Sequence, residues 1–245
     1  EMIRGDATSA YGDMLDRFWR EVVYLRPDRF VLFDNVRTNE ARVQRHLQWL
    51  LHSDKPMAQI GERIEVQGEK ARLIVQPLFP TGWRCRFPDR LGYAHAHGDT
   101  HLRTATCMSV YPEWIHIWNE SPGKSPYPHW EPRGGKRLYG PDYPYLVVLT
   151  PIRKETEIGW QVEALQADGI EGVRITEAAN TDTVLFKRFG GPYAAGDVES
   201  DAEKVVIREA AGRVTSAALV RGTTLRYRGQ TLLSETRPIS RAWDL

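Results

Sequence analysis

At 245 residues the chain needs no disulfide staples and suffices for one large sandwich or two small domains, since a chain of this size buries roughly 70% of its unfolded surface. Its 33 Lys plus Arg balance 32 Asp plus Glu. That balance excludes a global field for nucleic acid or an anionic membrane, so an acidic ligand would have to be held by a local cluster. No stretch approaches the roughly 20 apolar residues that span a bilayer and no leader pattern is present, while the opening at Glu1 reads as internal to a longer protein.

Short β-branched and aromatic runs recur about every ten residues between Gly, Pro, Asn and Asp clusters, the pattern of a sandwich or barrel. In chain order they predict strands over 21–25, 30–35, 43–52, 63–66, 72–78, 101–111, 114–119 and 145–150. The second half adds 160–165, 173–176, 183–187, 205–209, 214–220, 224–227 and 231–234. Pro27 and Asp28 suit a tight turn, Gly61 and Gly68 punctuate a meander, and Arg228, Gly229 and Gln230 close a terminal hairpin. The expected fold is therefore all-β, a large antiparallel β-sandwich of stacked sheets with little helix. The stretch 121–144, rich in Pro, Gly, Tyr and Trp, is too long for an ordinary connection and reads as an ordered surface loop. The polar connection 190–202 marks a candidate sub-boundary between a main sandwich, 1–190, and a smaller terminal sheet, 191–245. Cys85 and Cys107 lack metal-knuckle or redox spacing and read either as one disulfide or as two thiols, one or both buried.

Three groups of residues could carry chemistry. On the strand 43–52, alternation places Gln44, His46, Gln48, Leu50 and His52 on one face and Val43, Arg45, Leu47, Trp49 and Leu51 on the other. A face with two His and two Gln suits a sugar-facing sheet, with Gln44 and Gln48 as substrate contacts and His46 or His52 as catalytic candidates; ordinary solvent-facing polar groups are the competing reading. The segment HAHGDTH holds His95, His97, Asp99 and His101, which have the ligand types and spacing for a divalent metal such as zinc, or form a solvated turn. Trp130, Arg133 and Arg137 lie among further aromatics, where sugar rings could stack and Arg could grip a carboxylate, or where the loop packs on itself.

The pattern REVVYLRPDRFVLFDNV, followed by QRHLQWLLHS and, in the tail, by GVRITEAANTDTVLFKRF, AEKVVIREAAGRV and GTTLRYRG, resembles the heparinase II/III-like polysaccharide lyases. The likeness runs in order over most of the chain except about 83–143. It implies the C-terminal β-sandwich of an enzyme that pairs such a sandwich with an N-terminal helical toroid and cleaves uronic-acid polysaccharide by β-elimination. A base removes the proton beside the carboxylate, and a positive or hydrogen-bonding group steadies the enolate-like anion. In that family the base sits largely on the toroid, and the metal motifs HxHxD and HNT precede the part matched here. The resemblance thus implies a module that contributes to the cleft and to stability and is inactive alone, with an acidic polysaccharide and the helical domain as partners, a homodimer compatible with it, and a periplasmic or secreted setting. Alternatives are a non-catalytic carbohydrate-binding or structural sandwich, or a metal-dependent hydrolase using HAHGDTH.

Overall fold

Alternating apolar residues recur along the chain, and the backbone answers with strands over most of the described residues. The computed structural model describes residues 1–39, 49–53, 55–86, 106–112 and 142–245. They divide into two compact units, Glu1–Thr156 and Glu157–Leu245.

The first unit contains β1 (Met2–Asp6), a 3₁₀ segment (Thr8–Met14), β2 (Leu15–Leu25), β3 (Arg29–Thr38), β4 (Trp49–Ser53), β5 (Met57–Ile60), β6 (Arg63–Gln67), β7 (Ala71–Phe79), β8 (Trp83–Arg86), β9 (Thr106–Pro112) and β10 (Asp142–Arg153). Seven of these strands form one antiparallel sheet in the order β1-β2-β3-β10-β7-β6-β5, and β4-β9-β8 form a second. One core joins the two sheets: Val36, Ile64, Val66, Val75 and Val147 pack with Trp49, and Leu51, Trp83 and Cys85 close over them. Each buried aliphatic or Phe side chain of this kind contributes about 1.5–3 kcal/mol. The β2–β3 hairpin turns at 26–28 as expected, with a cis Arg26–Pro27 peptide. Tyr24 stacks on Phe30 at 4.8 Å and its hydroxyl donates to the Pro27 carbonyl at 2.5 Å. Cys85 lies opposite Val110, whereas Cys107 lies opposite His52.

The second unit contains β11 (Trp160–Ala167), β12 (Ile170–Glu177), β13 (Asn180–Lys187), β14 (Tyr193–Ala195), β15 (Val198–Ser200), β16 (Lys204–Ala210), β17 (Arg213–Tyr227) and β18 (Gln230–Asp244). Its sheet runs β11-β12-β13-β16-β17-β15-β14, with β18 along the other edge of β17. The sheet curls around Leu165, Ile170, Leu185, Val205, Leu219 and Leu225 until β14 comes back beside β11. Two ion pairs from Arg174 stitch this closure, to Asp197 at 3.0 Å and to Glu163 at 3.5 Å.

The fold class is that read from the sequence, all-β and antiparallel with only one short 3₁₀ segment among the described residues. The division at 190 is not where the sheets part. Strands β14 to β18 share backbone hydrogen bonds and a core with β11 to β13, so residues after 190 extend one sheet instead of building their own.

Candidate functional site

The site grows from the β2–β3 hairpin. A bulge between Leu15 and Arg17 sets Leu15 on the same face as Phe18 and Arg20, and β3 presents Asp34 and Val36 opposite them. Register then builds a row across four strands, Gly5 beside Arg20, Arg20 beside Asp34, and Asp34 beside Tyr145. Arg20 donates through Nε and Nη2 to the two Asp34 oxygens at 2.7 and 2.6 Å. The Asp34 side chain is 4% exposed and that of Arg20 46% exposed, so the acid is sunk in the sheet while the guanidinium reaches outward. Burial pushes the Asp34 carboxyl above the usual carboxylate range; Arg20 pulls against it without overcoming it. Arg20 itself is held more firmly protonated by the hydrogen bonds to Asp34.

One wall is the 3₁₀ segment, pinned to β2 where Ala7 donates its N–H to the Phe18 carbonyl and Phe18 donates to Thr8 Oγ1, both at 2.9 Å. Asp6 accepts from the Thr8 N–H at 2.9 Å and from its hydroxyl at 2.6 Å, and these bonds hold its carboxyl below the usual range. Asp6 is therefore ionised at neutral pH. The exposed Tyr11 ring leans on Phe18 with centroids 5.4 Å apart and a 52° tilt. Across the opening, β4 supplies Trp49 and Leu50. Trp49 is buried, and its indole N–H has no hydrogen-bond partner among the described residues.

Together these residues enclose about 540 Å³, within the range of about 300–1,000 Å³ usual for small-molecule sites. Four aromatic rings, Tyr11, Phe18, Trp49 and Tyr145, meet a small set of charges, Asp6, Arg20 and Asp34. That combination suits an amphipathic ring compound: apolar faces stack on the aromatics, and a few fixed groups set orientation.

Of the residues singled out in the sequence, His52 has its main chain on β4, opposite Cys107. Gln44, His46, Gln48, His95, His97, Asp99, His101, Trp130, Arg133 and Arg137 lie outside the described residues. Alternation on β4 is as anticipated where it is described, Trp49 and Leu51 joining the core and Leu50 exposed. Among the described residues no group of three or more His, Cys, Asp or Glu is placed to hold a metal ion. The cavity residues were not singled out by sequence reasoning, although a signal existed. Arg20 and Asp34 stand seven residues either side of Pro27, so a hairpin closing at that turn has to set them opposite each other.

No protein-family model matches the chain, and no curated protein matches it. No helix among the described residues is long and apolar enough to cross a membrane.

Proposed function

We propose that this chain is a carbohydrate-recognising β-sandwich serving as the module of a polysaccharide lyase that cleaves uronic-acid polymers by β-elimination. The observation that carries the reading is the aromatic cavity with the Arg20–Asp34 pair in its wall. Sugar rings present apolar C–H faces to aromatics and hydroxyls to fixed polar groups, and this cavity offers both. The run of strands resembling the tail of the heparinase II/III-like lyases adds the reaction class. In this role the module lines sugar subsites and braces the cleft, and a polymer substrate implies export to the periplasm or beyond.

The test is affinity electrophoresis of the chain through gels cast with alginate, heparan sulfate or hyaluronan, alongside an assay for unsaturated-uronate absorbance. Retardation by at least one polymer is expected, weaker for Tyr11→Ala, with flat absorbance for this chain by itself. Unchanged mobility in every gel would rule the reading out. Robust turnover by these residues would overturn the supporting role, because base and anion-stabilising groups would then have to lie within them. Retardation without product, even in the presence of a lyase helical domain, would favour the second reading, a carbohydrate-binding sandwich with no chemistry, which the same cavity serves equally well.

A further inference from the structure

Resting on that carbohydrate reading, we infer that the cavity beside Arg20 and Asp34 is a subsite for a neutral pyranose, not for the uronate of the polymer.

Charge decides between the two. Among the described residues Arg20 is the one cation in the cavity lining, and its bidentate bonds at 2.7 and 2.6 Å already engage it with Asp34. Asp6, at the rim, is kept ionised by the Thr8 donors. Among the described residues the lining is thus neutral if Asp34 carries a proton and negative if it does not, and in neither state does it carry the net positive charge that would draw in a sugar carboxylate. A uronate entering here would face Asp6, and it could meet only the outward edge of a guanidinium whose charge Asp34 already offsets. Like charges at such range repel, more strongly where water is partly excluded.

The remaining groups match a neutral ring. The Trp49 indole N–H is buried without a partner among the described residues, a state that favours an incoming hydroxyl or ring oxygen as acceptor. Asp6 can accept from a sugar hydroxyl, and the outward edge of Arg20 can donate to one. Tyr11, 41% exposed on the 3₁₀ segment, offers a stacking face at the opening. In a polymer that alternates uronate with a neutral sugar, this cavity would hold the neutral residue and so set the register in which the uronate is presented elsewhere.

The experiment is calorimetric titration of the 245-residue chain at pH 7 and low salt with tri-N-acetylchitotriose and cellotriose as neutral probes, trigalacturonate as the anionic probe, and a hyaluronan tetrasaccharide as the alternating one. A neutral probe is expected to bind at least about tenfold more tightly than trigalacturonate. Tyr11→Ala, at an exposed position, should weaken the neutral probe about three- to tenfold while the melting curve holds. Trp49→Phe should weaken it by a similar factor, and Asp6→Asn should narrow the gap between neutral and anionic probes by a few fold. Trigalacturonate binding as tightly as the neutral probes, or neutral binding indifferent to both Tyr11→Ala and Trp49→Phe, overturns the inference and leaves the carbohydrate reading standing. Absence of binding by all four probes and by the polymers in the gel assay removes both.

Discussion

At Asp34 two opposing effects act on one carboxylate. Its burial in the sheet raises its proton affinity, and the forked bond from Arg20 lowers it, with burial the larger. A carboxyl whose folded-state pKa is raised favours folding most strongly below the ordinary carboxylate range and loses that contribution as pH climbs through the folded value. Replacing Arg20 by Met removes the only pull in the other direction, so the folded pKa rises further and the loss on going to neutral pH deepens. Removing one member of a fully buried pair costs about 3–5 kcal/mol, and because Arg20 is half exposed the expected cost at pH 7 is nearer about 2 kcal/mol. At pH 4 it should be clearly smaller. Urea unfolding of Arg20→Met and the parent at both pH values measures this, and equal losses at the two would show that Asp34 does not feel its burial.

Among the elements, β17 carries the most unusual geometry. Alternation reads it as two strands, 214–220 and 224–227, separated by Arg221, Gly222 and Thr223, whereas the backbone runs through as one strand that bends and changes partner from β16 to β15. Arg221 takes a positive φ of 50° at the bend. A Cβ on Gly222 would sit 2.5 Å from the Ala202 Cβ and 2.9 Å from its Cα, so only glycine lets the β15–β16 turn approach. From that turn Asp201 accepts from the Thr223 N–H at 2.8 Å, the Thr223 hydroxyl at 2.5 Å and the Thr224 N–H at 2.9 Å. Burial raises the Asp201 carboxyl, but the Thr223 and Thr224 donors together outweigh it and hold it below its usual range. Gly222→Ala should cost about 1–3 kcal/mol by overpacking against backbone. Asp201→Ala should cost about 1–2 kcal/mol near neutrality, because three donors lose their acceptor. For a depressed carboxyl the contribution is present above the ordinary range and disappears as pH falls through the folded value, so the Asp201→Ala penalty should shrink on acidification, as the Arg20→Met penalty does, although burial raises the one carboxyl and hydrogen bonds lower the other. Thermal melts across that range check the sign. The short strands β5, β8, β14 and β15 escape a reading by alternation because three or four residues cannot display a period of two. Strand β18 runs to Asp244, well past the predicted 234, because pairing with β17 supports residues that are mostly exposed and carry little apolar pattern of their own.

Over the whole molecule, every buried carboxylate among the described residues is held by an arginine: Glu21 by Arg4, Asp34 by Arg20, Glu65 by Arg63 and Arg72, Glu171 by Arg188, Asp182 by Arg208 and Glu209 by Arg228. Three of these pairs, Arg4 with Glu21, Arg20 with Asp34 and Asp182 with Arg208, sit directly opposite in register. Sequence patterning identifies strands because apolar alternation is local. It does not identify these clasps or the cavity beside one of them, because a charged residue in a strand reads as solvent-facing until its cross-strand neighbour is known. Buried pairs are weakly screened by salt and depend on the planar fork of the guanidinium, whereas exposed pairs are screened and tolerate an ammonium. Glu171 is fully buried and receives Arg188 Nε at 2.8 Å on both oxygens and Nη2 at 2.7 Å, so Arg188→Lys should cost about 1–3 kcal/mol even though charge is conserved. The Arg226–Glu199 pair, with both side chains about half exposed, should lose less than about 0.5 kcal/mol on Arg226→Lys. Denaturant unfolding of the two variants at low and high salt reads the contrast directly, the first penalty persisting in salt and the second vanishing. Equal and salt-sensitive penalties would mean that the sheets are held by their apolar faces alone and that the arginine clasps are incidental.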